Sequence, residues 1–181
     1  SPASLPGVAG VITTAHFHGI RLCTEIATLM DTFRHHGFDV YVSTASLEDV
    51  VAVFATNPKY GYHVKRENVL GLRLEQNGDV FKNAYRKDWP LNWGPGKTAV
   101  IKRELVAQKG YGPVFVAGDS DGDYDMLRDF PDTEIGLVVN RLKKGKIGEL
   151  SKAAAEALKE VHPRFLLQGR QESTGNWLPV E

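Results

Sequence analysis

Cysteine is almost absent: Cys23 is the only one in 181 residues, which excludes an intrachain disulfide. The compartment stays open, because secreted proteins of this size also manage without disulfides. An excess of charge is absent too, since 22 Lys and Arg are balanced by 22 Asp and Glu. Nothing in the bulk electrostatics therefore points to nucleic acid or to an anionic membrane surface. No apolar run approaches the ~20 residues that a membrane helix needs. The opening Ser1-Pro2-Ala3-Ser4-Leu5-Pro6-Gly7 has neither a basic segment nor an apolar stretch and is not an intact signal peptide. It also lacks an initiator methionine, which fits a chain that begins partway through a longer protein or has been processed. Internal repeats and low-complexity segments are missing as well.

What is present reads as one soluble α/β domain, periplasmic, secreted or cytoplasmic. The 42% hydrophobic and 24% charged content is ordinary for a globular protein, and the length suits one domain better than two. Residues 8–15 are strand-like or linker-like. Leu22, Ile26, Leu29, Met30 and Phe33 fall on one helical face, and Gly37 stands just beyond the helix end. Residues 39–42 predict a short β-branched strand that runs into Ser43-Thr44-Ala45-Ser46, and a helical pattern resumes over 48–54. Residues 69–74 and 80–85 flank Gln76-Asn77-Gly78 and predict a β-hairpin. Gly94-Pro95-Gly96 breaks the chain before a helix over 97–109, which Gly110 ends. Residues 114–117 and 135–139 are wholly apolar, as strands buried in a parallel sheet are, and 151–160 predict an alanine-rich helix. Strands alternating with helices indicate a doubly wound parallel sheet, whose ligand site lies beyond the carboxyl ends of the strands.

One such end carries Gly118-Asp119-Ser120-Asp121-Gly122-Asp123-Tyr124-Asp125-Met126-Leu127. Four carboxylates in seven residues repel one another and are costly at a strand end unless a cation or a lysine compensates them. Oxygen ligands on a tight turn suit a hard ion, magnesium or manganese. An EF-hand is excluded because no glutamate stands at its twelfth position.

The segment resembles the fourth motif of the haloacid dehalogenase superfamily, a Gly-Asp-Ser/Gly-x-x-Asp run followed by a Met-Leu helix. That resemblance implies Asp119 as a Mg2+ ligand, with Asp123 steadying the metal shell and holding a catalytic lysine. Two further segments resemble that superfamily's other motifs, and in the right order. Val40-Tyr41-Val42-Ser43-Thr44 is similar to the second motif, which implies that Thr44, or alternatively Ser43, binds a phosphate oxygen. Lys97, at a helix start, is similar to the third, where a cation neutralises charge on a transferring phosphoryl group. The resemblance spans about residues 19–140. It is nearest the phosphorylcholine-phosphatase and phosphoserine-phosphatase branch, in the helix ending at Gly37, the strand after it, and the hairpin between the second and third motifs. The closing segment 167–177 resembles that branch as well. The fold implied is a Rossmann-like three-layer α/β sandwich around a parallel sheet. Its cap would be inserted upstream and mostly absent, residues 1–18 being the cap's end or a linker, 19–162 the core and 163–181 a C-terminal tail.

The superfamily's first motif, Asp-x-Asp-x-Thr on the central strand, supplies the nucleophile and the general acid–base. It occurs nowhere in this sequence: residues 11–15 hold no carboxylate, and Asp31-Thr32 falls inside a helix. Without that strand its neighbours would expose unpaired edges. The expectation is therefore that an N-terminal segment of the same protein carries the nucleophile and the cap. The activity implied is magnesium-dependent hydrolysis of a small-molecule phosphate monoester through an aspartyl-phosphate, which this segment would not perform alone. The rivals are a non-catalytic phosphate- or metal-binding module, and a degenerate member in which residues 11–15 form the central strand. A mutase or a phosphonatase would use the same core. Other conspicuous residues read as structure. His16 and His18 are loop histidines, His35 and His36 suit a helix C-terminus, and Cys23 fills a buried helix face. Trp89, Trp93 and Trp177 pack on the core or cover loops rather than forming an aromatic cage, and Arg141 to Lys146 form a solvated basic loop.

Overall fold

The computed structural model describes residues 21–179. The readings of residues 8–15 and 11–15 as a strand, of 1–18 as cap or linker, and of His16 and His18 lie outside the described residues.

Helix α1 (Thr24–His35) carries the expected apolar stripe, but the stripe is only half-buried and no residue of the helix is fully covered. The helix ends on Gly37, whose φ of +82° is open to glycine at little steric cost. Phe38 N–H donates back to Phe33 O and Gly37 N–H to Arg34 O, both at 3.0 Å, the glycine cap that the sequence predicts. Cys23 is the residue before the helix, half-buried, and its N–H donates to the Tyr62 hydroxyl at 2.9 Å. It does not sit on the buried helix face.

Strand β1 (Val42–Leu47) begins where the predicted strand over 39–42 was to end, and it includes the Ser-Thr-Ala-Ser run. It pairs in parallel with β2 (Val69–Leu72), Val42 facing Val69 and Ser43 facing Leu70, and the register then becomes irregular before Leu47 meets Leu72. Helix α2 (Glu48–Ala55) connects them. Residues 69–72 therefore belong to a parallel pair and not to the hairpin. The hairpin consists of β3 (Leu74–Asn77) and β4 (Val80–Tyr85) around Gly78 and Asp79. The apolar Val-Leu-Gly-Leu run has the composition of a buried parallel strand, and alternation starts only after Arg73.

Helix α3 (Pro95–Ile101) starts two residues before Lys97. Gly94-Pro95-Gly96 is not a break but its N-cap and first turn, with proline at the position where its missing N–H costs nothing. A π-helical stretch, Lys102–Val106, leads into the short α4 (Ala107–Lys109). The second parallel sheet has the order β5 (Phe115–Gly118), β6 (Ile135–Asn140), β7 (Phe165–Gly169). Between its strands lie α5 (Tyr124–Arg128) and α6 (Lys146–Ala157). Helix α6 begins and ends earlier than the predicted 151–160. Strand β7 pairs with β6 from Gly136–Phe165 to Asn140–Gly169, so part of the segment taken as a C-terminal tail is the sheet's third strand.

The α/β architecture with parallel sheets is as the sequence implies. The main core packs Val116, Leu127, Val138, Leu150 and Ala154 between β5, β6, α5 and α6. Smaller clusters join α2 to β2 and set Leu70 and Trp89 against Val100. Among the described residues no strand pairing joins the β1–β2 sheet to the β5–β6–β7 sheet, so β1 and β5 each have one edge without a partner strand. No described helix is long and apolar enough to cross a membrane.

Glu48 fixes α2 on β2. It is 5% exposed and accepts from Gly71 N–H and Arg73 Nε at 2.9 Å each and from Arg66 Nη1 at 3.3 Å. Removing it leaves the Gly71 amide and the Arg73 guanidinium without their carboxylate, while Arg66 keeps Asp49, so Glu48→Ala is expected to destabilise the fold by about 3 kcal/mol. A urea-unfolding midpoint unchanged from wild type would refute that role.

Candidate active site

Three chain segments converge where the start of β1 meets the carboxyl end of β5. Helix α3 presents Lys97 with its side chain 6% exposed, in contact with an Asp123 side chain that is 8% exposed. Lys97 Nζ donates to Asp123 Oδ1 at 2.6 Å and to the Ser43 carbonyl at 2.8 Å. One ammonium group therefore ties the start of β1 to the turn after β5.

The turn itself is a 3₁₀ segment, Asp121–Asp123, with Ser120 and Asp123 capping each other reciprocally. Asp123 Oδ2 accepts from the amides of Asp119 and Ser120 at 3.0 Å and from the Ser120 hydroxyl at 2.8 Å. The turn passes so close to Gly118 that a Cβ there would lie 2.4 Å from Asp123 Cβ. Burial raises the pKa of the Asp123 carboxyl, but the Lys97 charge and the hydrogen bonds to it outweigh this and hold it below the ordinary carboxylate range.

The remaining carboxylates of the acidic run are divided among separate partners. Asp119 Oδ2 accepts from Arg141 Nη1 at 2.7 Å. Asp121 Oδ1 accepts from Ile147 N–H at 2.8 Å and so caps α6. The Asp125 carboxylate lies against Gly94 at the start of α3. The repulsion that four carboxylates would otherwise generate is thus relieved by a lysine, an arginine and a helix start.

Ser43 and Thr44 are both half-buried, as the second and third residues of β1 and not at its end, where the sequence pattern placed them. The Thr44 hydroxyl accepts from Ser46 N–H at 3.1 Å, which leaves its own proton available. The Ser43 hydroxyl faces Asn92 Oδ1 at 3.3 Å. Of the two residues it is Ser43, through its carbonyl, that touches Lys97. The structure brings Ser43, Lys97 and Asp123 into one connected group, with Asp119 on the same turn.

The fit to a metal ion is poorer. Among the described residues no group of three or more His, Cys, Asp or Glu side chains is arranged to hold one. Both oxygens of Asp123 are taken by Lys97, Ser120 and two amides, which leaves Asp119 as the one carboxylate of this group with an oxygen to offer. These residues alone do not make a magnesium shell, which needs about six oxygen ligands.

A family model for haloacid dehalogenase-like hydrolases matches residues 7–128. The chain belongs to this family. A haloacid dehalogenase-like hydrolase core accounts for the parallel sheets. The phosphorylcholine phosphatase of Pseudomonas aeruginosa is 31% identical over 163 residues, covering 71% of this chain and 45% of the relative. The solved structure of a conserved functionally unknown protein from Anaerococcus prevotii matches with a TM-score of 0.82 and 34% identity, covering 90% of this chain and 42% of that one. The chain therefore spans less than half the length of either.

Two residues near this candidate site escape a reading of the sequence by motif. Arg141, taken as part of a solvated loop, is only 21% exposed; its Nε donates to Glu172 at 2.7 Å, its Nη2 donates to the same carboxylate, and its Nη1 holds Asp119. Its place just after the buried strand β6 was the available signal, since ligand-side residues follow strand ends. Asn92 is fully buried beside Ser43 and Thr44, and no local pattern marks it. The three tryptophans behave as structure: Trp89 is buried with its Nε1 on Gly71 O, Trp93 lies over Gly122, and Trp177 is half-buried near α1.

The Lys97–Asp123 pair carries a pH prediction. The folded Asp123 pKa lies below the unfolded value of about 3.9. Its contribution is therefore complete at neutral pH and is lost as pH falls through the folded value. Stability should decline below about pH 4, and less steeply in Asp123→Asn. At pH 7 that variant should already be less stable by about 3–5 kcal/mol, because Lys97 is left buried without its counter-charge. Urea unfolding of both proteins from pH 7 to pH 3 checks this, and parallel pH profiles would argue against the pairing.

Proposed function

We propose that this chain is the phosphate-binding part of the core of a phosphatase that hydrolyses a small-molecule phosphate monoester. The single observation that carries the reading is Lys97, buried, paired with Asp123 and bonded to Ser43 O. A buried ammonium between two strand ends is suited to an anion with several acceptor oxygens, and its charge counts for more there than in water. Asp123 orients the lysine through the 2.6 Å contact. The Thr44 hydroxyl, which accepts from Ser46 N–H and keeps its own proton, donates to a second phosphate oxygen; Ser43, the alternative, would have to release its bond to Asn92 Oδ1 to do so. Phosphorylcholine is one member of the substrate class, suggested by the Pseudomonas relative at 31% identity.

The nucleophile belongs to a segment outside this sequence, which holds no Asp-x-Asp-x-Thr run. The edges of β1 and β5 that have no partner strand among the described residues and the half-buried stripe of α1 support an N-terminal segment of the same protein seated between the two sheets. Its carboxylate would attack phosphorus as the ester oxygen leaves with a proton. Water would then cleave the acyl phosphate, releasing inorganic phosphate and the free aspartate. Magnesium dependence is part of this reading: Asp119 would contribute one oxygen, and the remaining ligands would come from beyond the described residues.

A second reading, a phosphate-binding module without turnover, is favoured by the absence of the nucleophile motif and is separated from the first by activity alone. In the full-length protein, Lys97→Met and Asp119→Asn are each expected to reduce magnesium-dependent hydrolysis of an aryl phosphate by at least about 100-fold. Wild-type activity in either variant would exclude the proposed site. Full-length wild type that binds phosphate and hydrolyses nothing would support the module instead.

A further inference from the structure

We infer that Asn92 is a positioning residue for the phosphate pocket, holding Ser43 and Thr44, early in β1, in the shape that receives the anion; the inference rests on the phosphatase reading above. Asn92 is 0% exposed. Its Nδ2 donates to Thr44 O at 2.8 Å and to Leu70 O at 2.9 Å, and its Oδ1 accepts from the Ser43 hydroxyl at 3.3 Å. Both amide protons and the carbonyl oxygen are therefore engaged, and only a carboxamide offers two donors and an acceptor in that span.

The location gives these bonds a purpose beyond filling the core. The β1–β2 pairing is regular at Val42–Val69 and Ser43–Leu70 and irregular from there to Leu47–Leu72. At this break, Asn92 bridges the carbonyls of Thr44 and Leu70, one on each strand. Thr44, which offers its hydroxyl to the site, and Ser43, which offers its carbonyl to Lys97, are thus held by a side chain where regular pairing lapses. Asn92 also opens the segment that delivers Lys97. Trp93 lies against Gly122, and Gly94 N–H donates to Gly122 O at 2.9 Å. Two residues past Pro95, Lys97 reaches Ser43 O. One six-residue stretch therefore sets the hydroxyl end, the ammonium and the acidic turn relative to one another, and a displacement of about 1 Å in such an arrangement costs up to about 100-fold.

Asn68 provides a matched control. Its Nδ2 donates to Val40 O at 2.9 Å, so it ties the approach to β1 in the same chemical way but away from the site. The test uses the full-length protein and inorganic phosphate as a competitive inhibitor of aryl-phosphate hydrolysis, with Tm recorded for each variant. Asn92→Asp replaces two donors by acceptors facing carbonyls. It is expected to raise the inhibition constant and KM at least about tenfold, whereas Asn68→Ala, at a comparable loss of Tm, stays within about twofold. Asn92→Ser, which is smaller and keeps one donor, serves if the aspartate variant does not fold and should show the same direction. Equal phosphate affinity in the Asn92 variants and wild type would overturn the inference while leaving the phosphatase reading intact. An equal loss in Asn68→Ala would reduce Asn92 to a structural tie and overturn it too. A wild-type protein that neither hydrolyses the ester nor binds phosphate would remove both.

Discussion

The buried Lys97–Asp123 pair is the interaction on which the site depends. Taking an ammonium and a carboxylate out of water is costly, and their attraction repays that cost only when the remaining protons and lone pairs are also satisfied. Here they are. Asp123 accepts four hydrogen bonds, one from Lys97 and three from the turn that it closes, and Lys97 has a second acceptor in Ser43 O. The pair therefore does two things at once: it folds the acidic turn, and it fixes a positive charge at the mouth of β1. Replacing it with apolar residues could preserve the packing, but it would remove the charge that defines the site's chemistry.

The rest of the acidic turn follows from the same constraint. A run of carboxylates is tolerable only if each finds its own compensation, and each does so in a different part of the fold. Asp119 takes Arg141, which is held in turn by Glu172 from the C-terminal segment, and Asp121 caps α6. The turn is thus a junction between β5, β6, α3 and α6, and the C-terminal segment is joined to it through Glu172.

Several of these features were legible in the sequence. The apolar strand before Gly118, the acidic run and the Met-Leu helix are contiguous, so local pattern was enough to find Asp119 and Asp123, and a single strong motif allowed Lys97 and Ser43-Thr44 to be read in order. The misreadings have one physical origin, which is dependence on distant partners. Residues 69–72 were assigned to a hairpin because a strong turn follows them, whereas their burial against β1 makes them parallel. The start of α6 was hidden because its cap, Asp121, lies 26 residues from Ile147. Arg141 reads as solvated beside Lys143 and Lys144 until Asp119 and Glu172 are brought to it. Asn92 gave no signal, since a buried asparagine is recognisable only from the carbonyls around it.

The two parallel sheets leave β1 and β5 each with a free edge among the described residues, with Lys97 spanning from one to the other. The central claim is that in the full-length protein a strand bearing the nucleophile pairs with both edges. Amide hydrogen exchange over β1 and β5 tests this most directly. A strand paired on one side protects alternate amides, while a strand paired on both sides protects consecutive ones. The account predicts slow exchange at consecutive amides through residues 115–118 and 42–44 of the full-length protein. Alternating fast and slow amides there would mean that both edges stay open and would contradict it.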